Sequence, residues 1–159
     1  MLSVQDFIDV CRDKGLNVTY QRILIYKSLI GTKSHPTAEE IYHEVKTEYP
    51  SISLATVYKT LETLADNELI SKVTPLHDLA RYDGDTTPHH HLVCLECRKI
   101  VDIYDDALNR LAIPNADKFQ IFGYRIQFEG LCQSCTPGTP ENLQKGGGET
   151  GNITFCGKN

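Results

Sequence analysis

The 159-residue chain holds no apolar run near the roughly 18 residues that a membrane span requires, so no membrane partner is expected. Its opening stretch, residues 1–15, carries acids at Asp6, Asp9 and Asp13 and lacks the basic and apolar regions of a signal peptide. A cytoplasmic location is the expectation. Positive charge is also scarce: 16 Lys and Arg stand against 21 Asp and Glu, a formal charge of −5. Residues 1–86 hold 9 against 13, residues 87–135 hold 5 against 6, and residues 136–159 hold 2 against 2. No segment is basic enough to coat DNA by charge alone, so any nucleic-acid function must rest on a few well-placed cations. The chain has no HExxH, nucleophile elbow or phosphate-binding glycine loop, and it is not expected to be an enzyme. At 40 % apolar and 23 % charged it is ordinary globular material, one medium domain or two small ones.

The first half has a helical rhythm. Ser3 can cap a helix whose apolar positions Val4, Phe7, Ile8 and Cys11 recur at helical spacing, with Gly15 as its stop. A second helix is expected from after Thr19 to Gly31. A third starts at the capping box Thr37-Ala38-Glu39-Glu40 and ends before Tyr49-Pro50. A fourth is capped by Ser53, with Leu54, Val57, Leu61 and Leu64 on its apolar face and Ala55, Thr56, Lys59, Thr60 and Thr63 on the other. Two short strands, 69–74 and 80–82, follow around a turn at Leu76–Asp78, the element order of a winged helix-turn-helix. The second half changes period. Residues 99–103 read as a strand and Asp105–Ala112 as a short helix stopped by Pro114. Phe122, Tyr124, Ile126 and Phe128 alternate as in a strand with one buried face, or one that pairs across a dimer. From Thr136 onward 6 of 24 residues are glycine, and this tail reads as disordered.

Two groups of residues carry chemistry. Cys94-x-x-Cys97 and Cys132-x-x-Cys135 can wrap one tetrahedral ion, since each pair turns two thiolates toward a common point. Four thiolates leave no open position, so a zinc ion there is structural; redox disulfides and a rubredoxin-type iron site are the competing readings. Cys11 belongs to the apolar face of the first helix and reads as a core thiol; Cys156, in the tail, carries no assigned role. The second group is Asp83, His89, His91 and Asp102. In an extended segment His89 and His91 share a side while His90 points away, and imidazoles with carboxylates suit iron, manganese or zinc. Asp102 interrupts an apolar strand, a costly place for a carboxylate unless it is exposed or paired with a cation. His90 is expected to be an ordinary solvated group.

The fragments His35-Pro36-Thr37-Ala38-Glu39-Glu40-Ile41-Tyr42, Ser53-Leu54-Ala55-Thr56-Val57-Tyr58-Lys59-Thr60-Leu61, Arg81-Tyr82-Asp83, His89-His90-His91-Leu92-Val93-Cys94 and Lys99-Ile100-Val101-Asp102 occur in that order. Together they resemble the ferric uptake regulator family of metal-responsive repressors, from about residue 3 to Cys135. The resemblance implies an α+β chain: a winged helix-turn-helix DNA-binding domain over 1–83, a hinge and metal-ligand segment over 84–91, and a small α/β dimerisation domain over 92–135 with the four-cysteine zinc site. It implies a homodimer on a near-palindromic double-stranded DNA operator, with Thr56, Tyr58 and Lys59 near DNA. Arg12, Lys14, Arg22 and Lys27 are further candidates for phosphate contacts.

The same resemblance implies a regulatory Fe(II) or Mn(II) ion between the domains, held by His35, Asp83, His89, His91 and Asp102. Asp at both carboxylate positions is similar to the peroxide-sensing branch, where iron sensors usually carry Glu. In that branch peroxide oxidises ligand histidines, here matched by His35 and His89, and the repressor leaves DNA. The alternative is an iron- or zinc-responsive repressor of the same family without peroxide sensing. A purely structural zinc ribbon would leave the Asp/His group unexplained.

Overall fold

The computed structural model describes residues 1–73, 80–112, 119–121 and 123–136. The expected turn at Leu76–Asp78, the stop at Pro114, the first alternating residue Phe122, the tail from 137 onward and Cys156 lie outside the described residues.

Four helices open the chain: α1 Val4–Asp13, α2 Tyr20–Ile30, α3 Ala38–Glu48 and α4 Leu54–Asp66. Each begins where a hydroxyl takes up a free backbone N–H: Ser3 accepts from Asp6, Thr19 from Arg22, Thr37 from Glu40 and Ser53 from Thr56. At α1 and α3 the third residue's carboxylate answers back to the cap, closing reciprocal boxes. Gly15 lets α1 end, because its φ of +69° is reached by glycine without steric cost. The helices pack around Phe7, Leu24, Ile25, Tyr26, Leu29, Ile41, Val57, Leu61 and Leu64, all buried, and Phe7 stacks on Tyr26 with ring centroids 3.8 Å apart. Cys11 lies in this core, fully buried.

Strands β1 Ser71–Val73 and β2 Arg81–Asp83 pair antiparallel, Ser71 opposite Asp83 and Val73 opposite Arg81. With α2–α4 they form the winged helix-turn-helix expected from the element order. Directly after β2 the chain passes against α2 at Gly84, where a Cβ would come within 2.9 Å of Ile30 Cγ2. The second part is a three-stranded sheet in the order β4-β3-β5: β3 His90–Cys94 between β4 Ile100–Ile103, antiparallel, and β5 Gln127–Gly130, parallel. Val93 and Ile100 on one face meet Val73 of β1, which joins the two sheets. The other face presents Leu92, Val101 and Phe128, paired across the strands and 45 %, 43 % and 40 % exposed. The architecture is α+β.

Four expectations need correction. Thr60, expected on the presented face of α4, is buried. The helix expected over Asp105–Ala112 is a single 3₁₀ turn, Leu108–Arg110. The Tyr124 hydroxyl donates to the Leu108 carbonyl and accepts from the Leu111 N–H, so it occupies backbone groups that a continuing helix would pair. The strand expected from Phe122 enters the ladder only at Gln127. The Ile126 N–H is donated to His90 Nδ1 instead of a neighbouring strand. β5 is exposed along its whole length, so within one chain it has no buried face. His90, expected to be solvated, is 2 % exposed; besides the bond from Ile126 it stacks on Tyr124.

Candidate metal centres and recognition helix

The parallel pairing of β5 with β3 sets Gly130 opposite Cys94 and so delivers the second CxxC beside the first. Cys94 ends β3, and Arg98, at φ +61°, turns the chain so that the Cys94 N–H reaches the Lys99 carbonyl. A second turn closes where Cys135 N–H donates to the Cys132 carbonyl. All four sulfurs lie within 4.8 Å of one another, with Cys97 Sγ and Cys132 Sγ 3.6 Å apart. A tetrahedral zinc with bonds of about 2.3 Å sets its sulfurs about 3.8 Å apart, so the residues present fit that ion. The thiols are unequal. Backbone N–H groups of Cys132 and Cys97 draw the Cys94 thiol down to about 6, while bonding to the Cys132 and Cys97 thiols holds Cys135 up at about 12. Four adjacent thiolates resist forming together, and a bound dication removes that resistance.

The second cluster draws on five places in the chain. His35 precedes α3, Asp83 ends β2, His89 immediately precedes β3, His91 lies within it, and Asp102 lies in β4 opposite His91. Their donor atoms also fall within 4.8 Å of one another. His35 Nε2 stands 2.8 Å from Asp102 Oδ1 and 3.5 Å from Asp83 Oδ2; His89 Nε2 stands 2.8 Å from Asp83 Oδ2 and 3.1 Å from His91 Nε2. Donors about 2.1 Å from a common ion would sit about 3.0 Å apart at right angles and about 3.6 Å apart at 120°. Despite these short separations, His35 Nε2, Asp83 Oδ2 and Asp102 Oδ1 are buried atoms with no hydrogen-bond partner. Close together and unpartnered, these buried atoms are free to face an ion, and the residues present fit one. All five expected residues come together here, and His90 stays out of the cluster.

The residues behind the ligands were missed by sequence reasoning. Asp83 Oδ1 accepts from the Asp85 N–H, and Asp85 Oδ1 accepts from the Thr87 N–H and hydroxyl. These successive turns bring the Thr87 carbonyl within 2.7 Å of His89 Nδ1. A carbonyl only accepts, so Nδ1 carries the proton and Nε2 is left free to bind an ion. Tyr104 covers the other side: its ring stacks on His89 at 5.3 Å and its hydroxyl donates to Asp85 Oδ2 at 2.9 Å. The spacing Asp83-x-Asp85-x-Thr87 was the available signal.

Protons compete with an ion at this site. Burial pushes the Asp83 carboxyl up, but the adjacent His35 and His91 imidazoles and the bond from the Asp85 N–H outweigh it and hold it well below the usual range. Burial likewise pushes His35 down, and Asp83 and Asp102 reverse the sign, leaving it above its ordinary 6.5. In the metal-free chain, the His35 contribution to stability is fully present below pH 6.5 and is lost as pH rises through its raised value. The Asp83 contribution is present above 3.8 and is lost as pH falls through its lowered value. An ion displaces the His35 proton, so it binds more tightly as pH rises.

On α4, Thr56 and Lys59 are exposed, while Tyr58 is half-buried and donates its hydroxyl to Glu39 of α3. Of the four cations considered for phosphate contacts, Arg12 pairs with Asp9 at 3.1 Å and Arg22 donates to the Asn17 carbonyl; Lys14 and Lys27 are exposed.

Comparison with known proteins gives the family. The sequence profile described as the Ferric uptake regulator family matches residues 13–129. The chain is 35 % identical over 135 residues to the peroxide-responsive repressor PerR of Staphylococcus saprophyticus, covering 83 % of this chain and 90 % of that protein. The crystal structure of the Campylobacter jejuni peroxide stress regulator superposes with a TM-score of 0.58 at 28 % identity, over 85 % of this chain and 100 % of that one. The Helicobacter pylori ferric uptake regulator Fur, with three functional metal binding sites, superposes at 0.68 with 20 % identity, over 84 % and 94 % of the two chains.

Proposed function

The chain belongs to the ferric uptake regulator family, and from that premise we propose a metal-dependent repressor that releases DNA when hydrogen peroxide oxidises its regulatory site. The observation that carries this reading is the convergence of five donors from both halves of the molecule, three with buried atoms that lack any partner. Residues 1–83 are the DNA-binding domain, 84–91 the hinge and ligand segment, and 92–135 the dimerisation domain. The four cysteines Cys94, Cys97, Cys132 and Cys135 hold structural zinc. His35, Asp83, His89, His91 and Asp102 hold Fe(II) or Mn(II).

His35 and Asp83 come from the helical part, and His89, His91 and Asp102 from the three-stranded sheet. An ion gripped by both favours the arrangement in which they are held together, and it shifts that equilibrium only by its differential affinity for the two states. The exposed Leu92, Val101 and Phe128 stripe and the unburied β5 offer a second copy an apolar surface. A dimer then sets two α4 helices against half-sites of a near-palindromic operator, with Thr56, Tyr58 and Lys59 facing DNA. Among the described residues no helix is long and apolar enough to cross a membrane.

Bound Fe(II) supplies the chemistry that splits peroxide, whereas Mn(II) fills the site without carrying it out readily. The protein supplies the target: His35 and His89 present imidazole rings at the ion. If one peroxide oxygen is inserted into a ring C–H bond and the other leaves as water, the ring becomes a poorer nitrogen donor, so the grip between the two parts would be lost. The aspartates set the geometry. Asp102 Oδ1 reaches its point from a strand with one methylene fewer than glutamate would have, and it already stands 2.8 Å from His35 Nε2. Asp102→Glu is therefore expected to keep Mn(II)-dependent DNA binding while the peroxide needed for release rises at least about tenfold, since shifts near 1 Å carry such factors. Fluorescence anisotropy on labelled operator DNA measures both. Full sensitivity in this variant would remove Asp102 as a reason for preferring the peroxide-sensing branch.

A further inference from the structure

His35 has a left-handed backbone, φ +52°. That conformation is uncommon for a non-glycine residue and persists where the surroundings hold it. Strand β2 does the holding. The Tyr82 N–H donates to the Pro36 carbonyl at 3.0 Å, Thr37 and Arg81 form an isolated antiparallel bridge, and Arg81 Nη1 donates to the His35 carbonyl at 2.9 Å. Arg81 and Asp83 are two residues apart on β2, so their side chains leave the same face. One grips the backbone of His35; the other meets its imidazole. The same guanidinium lies 3.6 Å from the Glu40 carboxylate, which accepts from the Thr37 N–H at 2.7 Å and closes the capping box of α3. The neighbouring Glu39 accepts the Tyr58 hydroxyl of α4.

We infer that Arg81 is a positioning residue for the regulatory ion, fixing His35 in its ligating pose and tying that pose to the start of α3 and through it to α4. The inference rests on reading the His35–Asp83 cluster as the ion site. Arg81 touches none of the donor atoms. Its Nη1 donates to the His35 carbonyl at 2.9 Å and lies 3.6 Å from Glu40 Oε2, an ion pair longer than a hydrogen bond; the planar guanidinium fork keeps both contacts in one geometry, whereas a lysine is a single mobile point charge. Without the fork the loop before α3 is free to leave its left-handed turn, and the ion must order His35 as it binds.

The test uses the full-length zinc-loaded protein, wild type beside Arg81→Met, Arg81→Lys and His35→Ala, without oxygen. Mn(II) binding is followed by electron paramagnetic resonance, Co(II) at the second site by its visible d–d bands, and DNA binding by anisotropy. Arg81→Met should lower Mn(II) affinity at least about tenfold and weaken the Co(II) bands as an imidazole leaves, with one zinc per chain retained. Even at saturating Mn(II), its gain in DNA affinity should be smaller than in wild type. Arg81→Lys should fall between the two, and it carries the test should the methionine variant fail to fold. A folded variant with lowered Tm, unchanged Mn(II) affinity and an unchanged Co(II) spectrum would reduce Arg81 to a structural role and overturn the inference. If His35→Ala loses the second ion and the Arg81 variants do not, only this inference falls. If wild type takes up no second ion, the reading of the site falls and the inference with it.

Discussion

Changing Cys132 to serine is expected to release the zinc ion and unfold the three-stranded sheet while leaving the helical part standing. The two parts differ in what holds them. Among the described residues the helical part and its strands share a core of sixteen buried residues, while the second cluster consists of Val73, Val93 and Ile100. Three such side chains contribute about 1.5–3 kcal/mol each. A structural zinc contributes about 10–16 kcal/mol of apparent binding free energy at neutral pH. β5 is exposed along its length and depends on the ladder and on the Cys132–Cys135 turn that follows it. Zinc analysis should show the metal lost, hydrogen exchange should show β3–β5 unprotected, and light scattering should show a monomer, with helical circular dichroism retained. A Cys132→Ser chain that stays dimeric with a protected sheet would contradict this division of labour.

The second large effect is expected from His35→Ala. It removes the ligand that the loop before α3 contributes and leaves Asp83 as the helical part's one carboxylate at the site. Losing a donor should weaken the second ion by at least about 100-fold, as loss of even outer partners costs 10- to 100-fold. The larger consequence is for coupling. Moving a two-state equilibrium from 1:99 to 99:1 takes a differential affinity of about 10⁴, and an ion that no longer touches the loop before α3 cannot supply it. DNA affinity at saturating Mn(II) should fall to the metal-free level, measured by anisotropy, while the zinc content and the Tm of the helical part stay as in wild type. Retention of the Mn(II)-dependent gain would place the coupling elsewhere.

The helices were legible in the sequence because their signals are local. Ser3, Thr19, Thr37 and Ser53 mark starts that need only the next few residues, and the buried faces of α1, α3 and α4 follow helical spacing. The candidate metal ligands were legible for two different reasons. The CxxC pairs carry their geometry in their spacing, whereas His35 gains meaning only from the family resemblance, since nothing near it in sequence says that β2 will deliver Asp83 to its ring. What failed was decided by distant side chains. Asp105–Ala112 has a helix-like pattern, but the Tyr124 hydroxyl takes up its backbone groups. The alternation from Tyr124 to Phe128 suggested a longer strand, but His90 holds the Ile126 N–H. Arg81 and Tyr104 gave no local signal because each meets the cluster through a residue on another element, whereas the spacing Asp83-x-Asp85-x-Thr87 was a signal for Asp85.

The most direct measurement splits zinc-loaded protein into Fe(II) and Mn(II) samples without oxygen, adds near-stoichiometric peroxide, and follows DNA binding and peptide mass. The account predicts that only the iron sample releases DNA, with one oxygen atom added to the peptide carrying His35 or His89. Unchanged DNA binding and unmodified histidines in the iron sample would contradict it.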